Sequence, residues 1–327
     1  MEALLEVSDL VTEFRTRSGV ARAVDHVSFS VRDGEFFGIV GESGCGKSAT
    51  CRSILRLFGG SNGAVTNGSI RFGGEDLVGM TDAQLTKIRG REISFIFQDP
   101  LAALNPTMRV GDQITEVILQ HRNCSRSEAN ALALQLLTDV QMTSPERRLR
   151  SYPHELSGGL RQRVMIAMAL ALSPRLIIAD EPTTALDVTV QDQILRLLTD
   201  RRDALGAAII LVTHDLGVVA EVCDRIAVMY GGKIVETGPT RDLLDRPRHP
   251  YTRALIDALP SRGVSGERLK SIPGAPPDLT SPPPGCRFEP RCGFALPACR
   301  DAVPPLRVRN PAEAQRLDAC IREDILG

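Results

Sequence analysis

The chain lacks any apolar run long enough to cross a membrane. Its longest, residues 164–172, spans nine positions, about half of the ~20 that a transmembrane helix needs. The stretch Met1-Glu2-Ala3-Leu4-Leu5-Glu6 carries acid and has neither a basic segment nor a long apolar core, so it is not expected to act as a signal peptide. These absences predict a cytosolic protein whose membrane role, if any, comes through a partner. An excess of charge of one sign is missing too. The formal net charge over 327 residues is −1, and no basic stripe gives an electrostatic reason to bind nucleic acid. Coiled-coil heptads are also absent. A disulfide framework is not expected, because the eight cysteines sit in a reducing compartment on this reading. With 43% apolar and 24% charged residues, the composition is that of a globular protein of one large or two modest domains.

Against this background one loop stands out, Gly41-Glu42-Ser43-Gly44-Cys45-Gly46-Lys47-Ser48, which matches G-x-x-x-x-G-K-[ST]. Glycines let such a backbone curl until successive N–H groups point at a phosphate. The positive end of the following helix adds to the attraction. Lys47 would reach the β- and γ-phosphates and the Ser48 hydroxyl would ligate Mg²⁺. The flanks agree: Phe36-Phe37-Gly38-Ile39-Val40 reads as a buried strand, and helical spacing runs from Ala49 to Phe58. Alternation over residues 4–31, with a polar turn around Arg17-Ser18-Gly19, predicts a small antiparallel sheet beside this loop. Phe14 lies in it and could stack on an adenine or serve as an ordinary core or edge aromatic.

Further along, a short strand is expected at 69–72, a helix over 81–88, and an apolar strand, Ile93-Ser94-Phe95-Ile96-Phe97, that ends in Gln98-Asp99-Pro100. A polar residue at the carboxyl end of a buried strand is where α/β sheets place ligand contacts. Residues 110–150 keep 3–4 spacing without a strand signal, which predicts an inserted helical subdomain over about 100–173. Within it, Leu156-Ser157-Gly158-Gly159 opens a helix. A serine cap followed by two glycines makes a second anion-binding helix start. Leu176-Ile177-Ile178-Ala179-Asp180-Glu181 is a buried strand ending in two acids. Asp180 could hold Mg²⁺ through a water and Glu181 could orient an attacking water. Thr184-Ala185-Leu186-Asp187 caps a helix running to about Leu205, and residues 207–213 form a buried strand ending at His214.

Beyond Pro247 the composition changes. Twelve of the 21 prolines lie between Pro260 and Pro311, so long helices and central strands are excluded there. Cys286, Cys292, Cys299 and Cys320 are spaced C-x5-C-x6-C-x20-C. Four thiols without a histidine suit an all-thiolate cage for an iron–sulfur cluster or zinc, or else free thiols. The absence of C-x2-C lowers zinc. Cys51, Cys124 and Cys223 read as scattered small residues, while oxidation of Cys45 would block the phosphate loop.

Taken in order, the phosphate loop, Gln98, Leu156-Ser157-Gly158-Gly159, Asp180-Glu181, Ala185-Leu186-Asp187 and His214 resemble the ATP-binding subunit of an ABC transporter over about residues 1–245. The dipeptide/oligopeptide importer branch is resembled in Gly41-Glu42-Ser43-Gly44, in Phe97-Gln98-Asp99-Pro100 with Leu104-Asn105-Pro106, in 179–187, in His249-Pro250-Tyr251-Thr252 and in the Pro- and Cys-bearing tail, 246–327. The resemblance implies an α/β fold: a RecA-like core, an antiparallel β subdomain, a helical subdomain and the C-terminal extension. It also implies that two subunits sandwich two ATPs, each between the phosphate loop of one and Ser157, Gly158 and Gly159 of the other. ATP contacts then fall to Phe14, Gly41, Ser43, Gly44, Cys45, Gly46, Lys47, Ser48, Ala49, Gln98 and Asp180, and Mg²⁺ to Ser48, Gln98 and Asp180. Glu181 would be the general base, His214 would touch the γ-phosphate, Asp187 would lie in the loop facing the partner, and Gln98 would link the site to membrane subunits. A [4Fe–4S] cluster in the tail is implied as well, with zinc as the alternative.

The implied partners are a second, homologous ATPase subunit, two permeases and an extracytoplasmic binding protein, at the cytoplasmic face of the inner membrane, with no nucleic acid. Peptide cargo leads; nickel chelates and glutathione-like cargo use the same machinery. A soluble ABC ATPase and a redox regulator are the readings from other classes. Two departures from the family pattern are Leu160, where glutamine is usual, and Ala49, where threonine often follows Ser48.

Overall fold

A computed structural model of the chain describes residues 3–60, 62–184, 186–259 and 271–322. The chain clusters into two compact units, Met1–Gly79 with Val212–Gly327, and Met80–Leu211. The tail thus belongs to the same unit as the phosphate loop.

The first unit begins with β1 (Ala3–Thr16) and β2 (Gly19–Arg32), a hairpin turning at Arg17 and Ser18 as the polar turn predicts. Next come β3 (Phe36–Val40), α1 (Lys47–Ile54), β4 (Gly63–Phe72) and β5 (Glu75–Asp76). An antiparallel sheet of order β2-β1-β4-β5 results. Helix α1 stops four residues short of the predicted Phe58, because the chain turns left-handed at Arg56 (φ 51°) while the Leu57 N–H returns to the Arg52 carbonyl. Strand β4 is longer than predicted, since β1 offers a ladder out to Phe14 opposite Gly63.

The second unit runs through α2 (Asp82–Ile88), β6 (Ile93–Ile96), α3 (Pro100–Ala103), α4 (Val110–His121), α5 (Arg126–Asp139), α6 (Pro145–Leu149), α7 (Gly158–Leu170), β7 (Leu176–Asp180) and α8 (Val188–Leu205). Thr81 and Ser125 start α2 and α5 with capping boxes closed by Gln84 and Glu128. The inserted helices pack on Ala129, Ala133, Leu137, Ile114 and Ile118, all fully buried. Strand β8 (Ala208–Thr213) follows at the boundary and neighbours β7, which neighbours β6.

The chain then returns to the first unit with α9 (Leu216–Val222), β9 (Arg225–Tyr230), β10 (Lys233–Pro239), α10 (Thr240–Asp245), α11 (Pro250–Asp257), β11 (Arg307–Val308) and β12 (Leu317–Asp318). Here the strands neighbour one another in the order β11-β12-β10-β9-β3. Among its described residues the proline-rich tail holds no long element, as expected. It is tied down by buried charge instead. Arg316 (2% exposed side chain) meets Glu236 (0%) at 3.4 Å, and Arg309 forks onto buried Asp318. Arg287 pairs with Asp25 at 2.5 Å, both side chains almost wholly buried. Breaking one member of such a pair leaves an uncompensated buried charge and costs about 3–5 kcal/mol. No helix of the described residues is long and apolar enough to cross a membrane.

Glu236 also accepts the backbone N–H groups of Arg248 and His249, each at 2.9 Å. Burial, aided by Arg309, pushes the His249 imidazole down to about 3, and its Nδ1 accepts the Tyr251 N–H at the start of α11. The unfolded chain binds this proton near pH 6.5, the folded chain only near 3. The contribution of His249 is therefore present above pH ~6.5 and lost as the pH falls toward 3. His249→Asn keeps a capping acceptor without the titration. Between pH 7 and 5 the wild type is expected to lose about 2 kcal/mol more stability than this variant. Urea unfolding at both pH values reads the difference, and parallel pH profiles would contradict it. Burial raises the Glu236 carboxyl, but that group is present in both proteins and cancels in the comparison.

Candidate active site

In the first unit the fully buried strand β3 delivers the chain into the glycine loop, held in parallel register against β9 from Phe37 opposite Arg225 to Val40 opposite Val228. Two glycines are demanded by close approach. A Cβ on Gly41 would lie 2.2 Å from the Met229 carbonyl oxygen, and one on Gly46 would lie 2.2 Å from that of Ala23. Gly46 is left-handed (φ 110°) and serves as the N-cap of α1. Gly44 is also left-handed, but its Cβ would meet nothing. The Cys45 carbonyl accepts the Gly232 N–H at 2.8 Å, which fixes the loop from behind. Lys47, nearly buried, donates from Nζ to the carbonyls of Gly41 and Glu42 at 2.8 and 2.9 Å, so its ammonium lies across the curl. Ser43 and Gly44 are exposed, while Ser48 and Ala49 are half-buried on the first turn of α1. Burial raises the Cys45 thiol above its ordinary range.

Phe14 is half-buried at the open end of β1, edge-on to Phe58 with ring centroids 5.8 Å apart. Its ring occupies the space a side chain on Gly63 would need. His214 is exposed just beyond β8. After it, Asp215 caps α9 by accepting the N–H groups of Gly217 and Val218.

In the second unit β6 and β7 run parallel, with Ile93 opposite Leu176 and Ile96 opposite Ala179. Two residues past the last pair, that register brings Gln98 beside Glu181, and Gln98 Nε2 donates to Glu181 Oε2 at 2.9 Å. The same oxygen accepts from Thr184 Oγ1 at 2.8 Å. Glu181 has φ 47°, a left-handed conformation that costs a non-glycine residue about 1–3 kcal/mol and clusters at functional sites. Asp180, directly before it, is fully buried. Ser157 caps α7, accepting the Leu160 N–H at 3.4 Å, and Asp187 caps α8, accepting the Val190 N–H at 2.9 Å. The two caps are neighbours: the Cβ position of Gly159 lies 3.0 Å from Val190, and that of Gly158 lies 3.7 Å from Leu186. Ala185 lies outside the described residues.

The donor set predicted for Mg²⁺, the Ser48 hydroxyl, the Gln98 amide oxygen and the Asp180 carboxylate, consists of hard oxygens, which fits that ion.

The tail cysteines depart from the expected cage. Cys286, Cys292, Cys299 and Cys320 are near enough to interact electrostatically, and burial pushes the Cys286 thiol up to about 11. All four are free thiols. Yet among the described residues no group of three or more His, Cys, Asp or Glu side chains is arranged to hold a metal ion. Each sulfur instead accepts a backbone N–H of its own short turn, as Cys299 does from Leu296 and Cys320 from Arg322, both at 3.4 Å.

Sequence reasoning missed what stands behind the phosphate loop. The Glu42 N–H donates to the Tyr251 hydroxyl at 2.8 Å, and the Glu42 carboxylate is forked by Arg291 of the tail at 2.6 and 3.0 Å. The only signal in the sequence was the motif His249-Pro250-Tyr251-Thr252, which gave no hint of its partner.

A loop of this build binds nucleoside phosphates, and the two units carry the parts of a P-loop ATPase cassette. The chain belongs to the ABC transporter family. The family pattern described as ABC transporter matches residues 24–184, and that described as oligopeptide/dipeptide transporter, C-terminal region, matches 235–299. The probable peptide ABC transporter ATP-binding protein y4tR of Sinorhizobium fredii is 50% identical over 99% of this chain and 96% of its own length. The dipeptide transport ATP-binding protein DppD of Bacillus subtilis is 48% identical over 95% of this chain and 92% of its own. The oligopeptide transport ATP-binding protein OppD of Escherichia coli is 48% identical over 98% and 94%. Among solved structures, the dimeric post-hydrolysis state of the ATP-binding cassette MJ0796 bound to ADP and Pi is 30% identical, with a TM-score of 0.66 over 72% of this chain and 99% of that one.

The glycine geometry separates two substitutions. Gly46→Ala drives a Cβ into the Ala23 carbonyl and is expected to cost several kcal/mol, upward of about 3. Gly44→Ala, with the same handedness but open space, is expected to cost only about 1–2 kcal/mol. Thermal unfolding of the two variants checks the ranking.

Proposed function

We propose that the protein hydrolyses ATP to drive import of dipeptides or oligopeptides, as a peripheral subunit at the cytoplasmic face of the membrane. Residues 1–245 form the ATPase and 246–327 its extension. The near full-length identity to peptide transport ATP-binding proteins carries this reading, and the transporter-specific match at 235–299 favours it over a soluble ABC ATPase. Gly41, Ser43, Gly44, Cys45, Gly46 and Ala49 line the phosphates with backbone, Lys47 pairs with the β- and γ-phosphates, and Phe14 stacks on the adenine. Ser48, Gln98 and Asp180 would hold Mg²⁺, which would neutralise phosphate charge when bound. Glu181 takes the proton of the attacking water. Gln98 and Thr184 aim its carboxylate, and the left-handed backbone there supports a built position rather than an incidental one. His214 reaches the γ-phosphate.

Ser157, Gly158 and Gly159 serve the nucleotide of a second, homologous ATPase subunit, with Asp187 beside them. The exposed caps and the 82% exposed Val188 next to them support a facing protomer, as does the dimeric state of MJ0796. Two permeases and an extracytoplasmic binding protein complete the assembly. Glu181→Gln is expected to leave MgATP affinity within about twofold and to lower kcat by ~10²–10⁴. Nucleotide binding and phosphate release measured on one preparation check this, and unchanged turnover would remove Glu181 from the role.

For the tail we propose a [4Fe–4S] cluster held by Cys286, Cys292, Cys299 and Cys320. The all-thiol donor set suits iron–sulfur. Such a cluster would staple the tail. Anaerobically purified protein should be brown with iron and acid-labile sulfide in near-equal amounts. A colourless protein with one zinc would overturn the assignment.

A further inference from the structure

The phosphate loop contains a carboxylate where a polyanion is to bind. The Glu42 carbonyl holds the Lys47 ammonium, so the Glu42 backbone is part of the grip itself. Its side chain is close enough to Cys45, two residues before that lysine, to interact with it electrostatically. An unscreened negative charge within the loop would oppose phosphate binding. The charge is answered from the tail: Arg291 forks onto both oxygens of Glu42 with its side chain 4% exposed.

The guanidinium is itself built in. The Arg291 Nε–H donates to the Pro273 carbonyl at 2.7 Å, its Nη2 donates to the Ile272 carbonyl at 3.2 Å, and Nη1 donates to the Tyr230 hydroxyl at 3.2 Å. Tyr230, Tyr251 and Phe288 pack ring against ring behind it, with centroids 4.5–5.3 Å apart. Two neighbours anchor the same segment: Phe288 is nearly buried, and Arg287 pairs with Asp25 and donates to the Gly231 carbonyl. Lysine could not replace this fork, since it supplies a point charge rather than a planar array of donors.

We infer that Arg291 is a positioning residue for nucleotide binding: it cancels the charge of Glu42 within the phosphate loop and turns that carboxylate toward the tail, leaving the mouth of the loop to Lys47 and the backbone N–H groups. The inference rests on the reading that this loop binds ATP, and it gives the tail a direct part in nucleotide affinity.

The test is a double-mutant cycle on the full chain, read as the Kd of MgATP with a ribose-labelled analogue and as KM against kcat for ATPase activity. Arg291→Met is expected to raise Kd and KM about tenfold, in the lower part of the range for coupled sites, with kcat unchanged within about twofold. Glu42→Gln should bind nearly as the wild type does. The double variant, E42Q/R291M, should recover most of the loss, since the uncompensated carboxylate is gone; an arginine that merely glued the tail in place would show no such recovery. A Kd for Arg291→Met within twofold of wild type, or a double variant as weak as Arg291→Met, overturns the inference. Should Arg291→Met fail to fold, Arg291→Gln and E42Q/R291Q take its place: a raised Kd in the first that the second relieves supports the inference, and equal affinities overturn it. Lys47→Ala separates the two levels. Unchanged nucleotide binding in that variant removes the ATP reading itself, whereas lost binding there with an unaffected Arg291→Met removes only the role of Arg291.

Discussion

A curl of backbone can present its N–H groups to a phosphate only if something holds the curl from the far side. In this protein several elements of the first unit supply that hold. The loop rests on the carbonyls of Ala23 and Met229 at separations that admit no side chain at Gly46 or Gly41. A hydrogen bond from Gly232 to Cys45 fixes its middle, and Tyr251 and Arg291 fix its first turn. Strands β2 and β9 and the tail are all arranged to supply these contacts. The sheet around β3 serves as a platform that holds the loop in its curl.

The tail solves a problem that its composition creates. Prolines deny it ladder hydrogen bonds, so it cannot anchor itself through long regular elements. Buried ion pairs do that work: Arg316 with Glu236, Arg309 with Asp318, and Arg287 with Asp25. Such pairs add little net stability but demand one geometry, because any other arrangement strands a charge. A segment fixed this way can carry Arg291 to a defined point on another element, which a loosely tethered tail could not. Cys286 and Cys292 bracket that segment in sequence, so whatever constrains those thiols also constrains the arginine between them.

In the second unit the strand register does the positioning. Parallel pairing of β6 with β7 places Gln98 and Glu181 side by side at the carboxyl ends of the strands, where a doubly wound sheet exposes its ligand contacts. The price is backbone strain at Glu181, tolerated because the Thr184 hydroxyl and N–H both return to that residue. A comparable economy appears at the two helix starts, where small residues at 158 and 159 let the Ser157 and Asp187 caps lie close to one another.

Much of this was legible residue by residue. The glycine loop, the serine and aspartate caps, the alternation in β1 and β2, and the strand ending in Asp180-Glu181 are local patterns. Each shows as a short motif or a simple alternation within a few positions of chain, so sequence alone announced them, although distant residues complete the loop and the strands. The early end of α1 and the length of β4 were not legible, because one depends on a single left-handed residue and the other on the reach of its neighbour β1. The fork of Arg291 on Glu42 joins positions 249 residues apart, and nothing in either neighbourhood marks the other. Only the tertiary structure decided that contact, together with the placement of the four tail thiols, because such pairings are set by how whole elements pack.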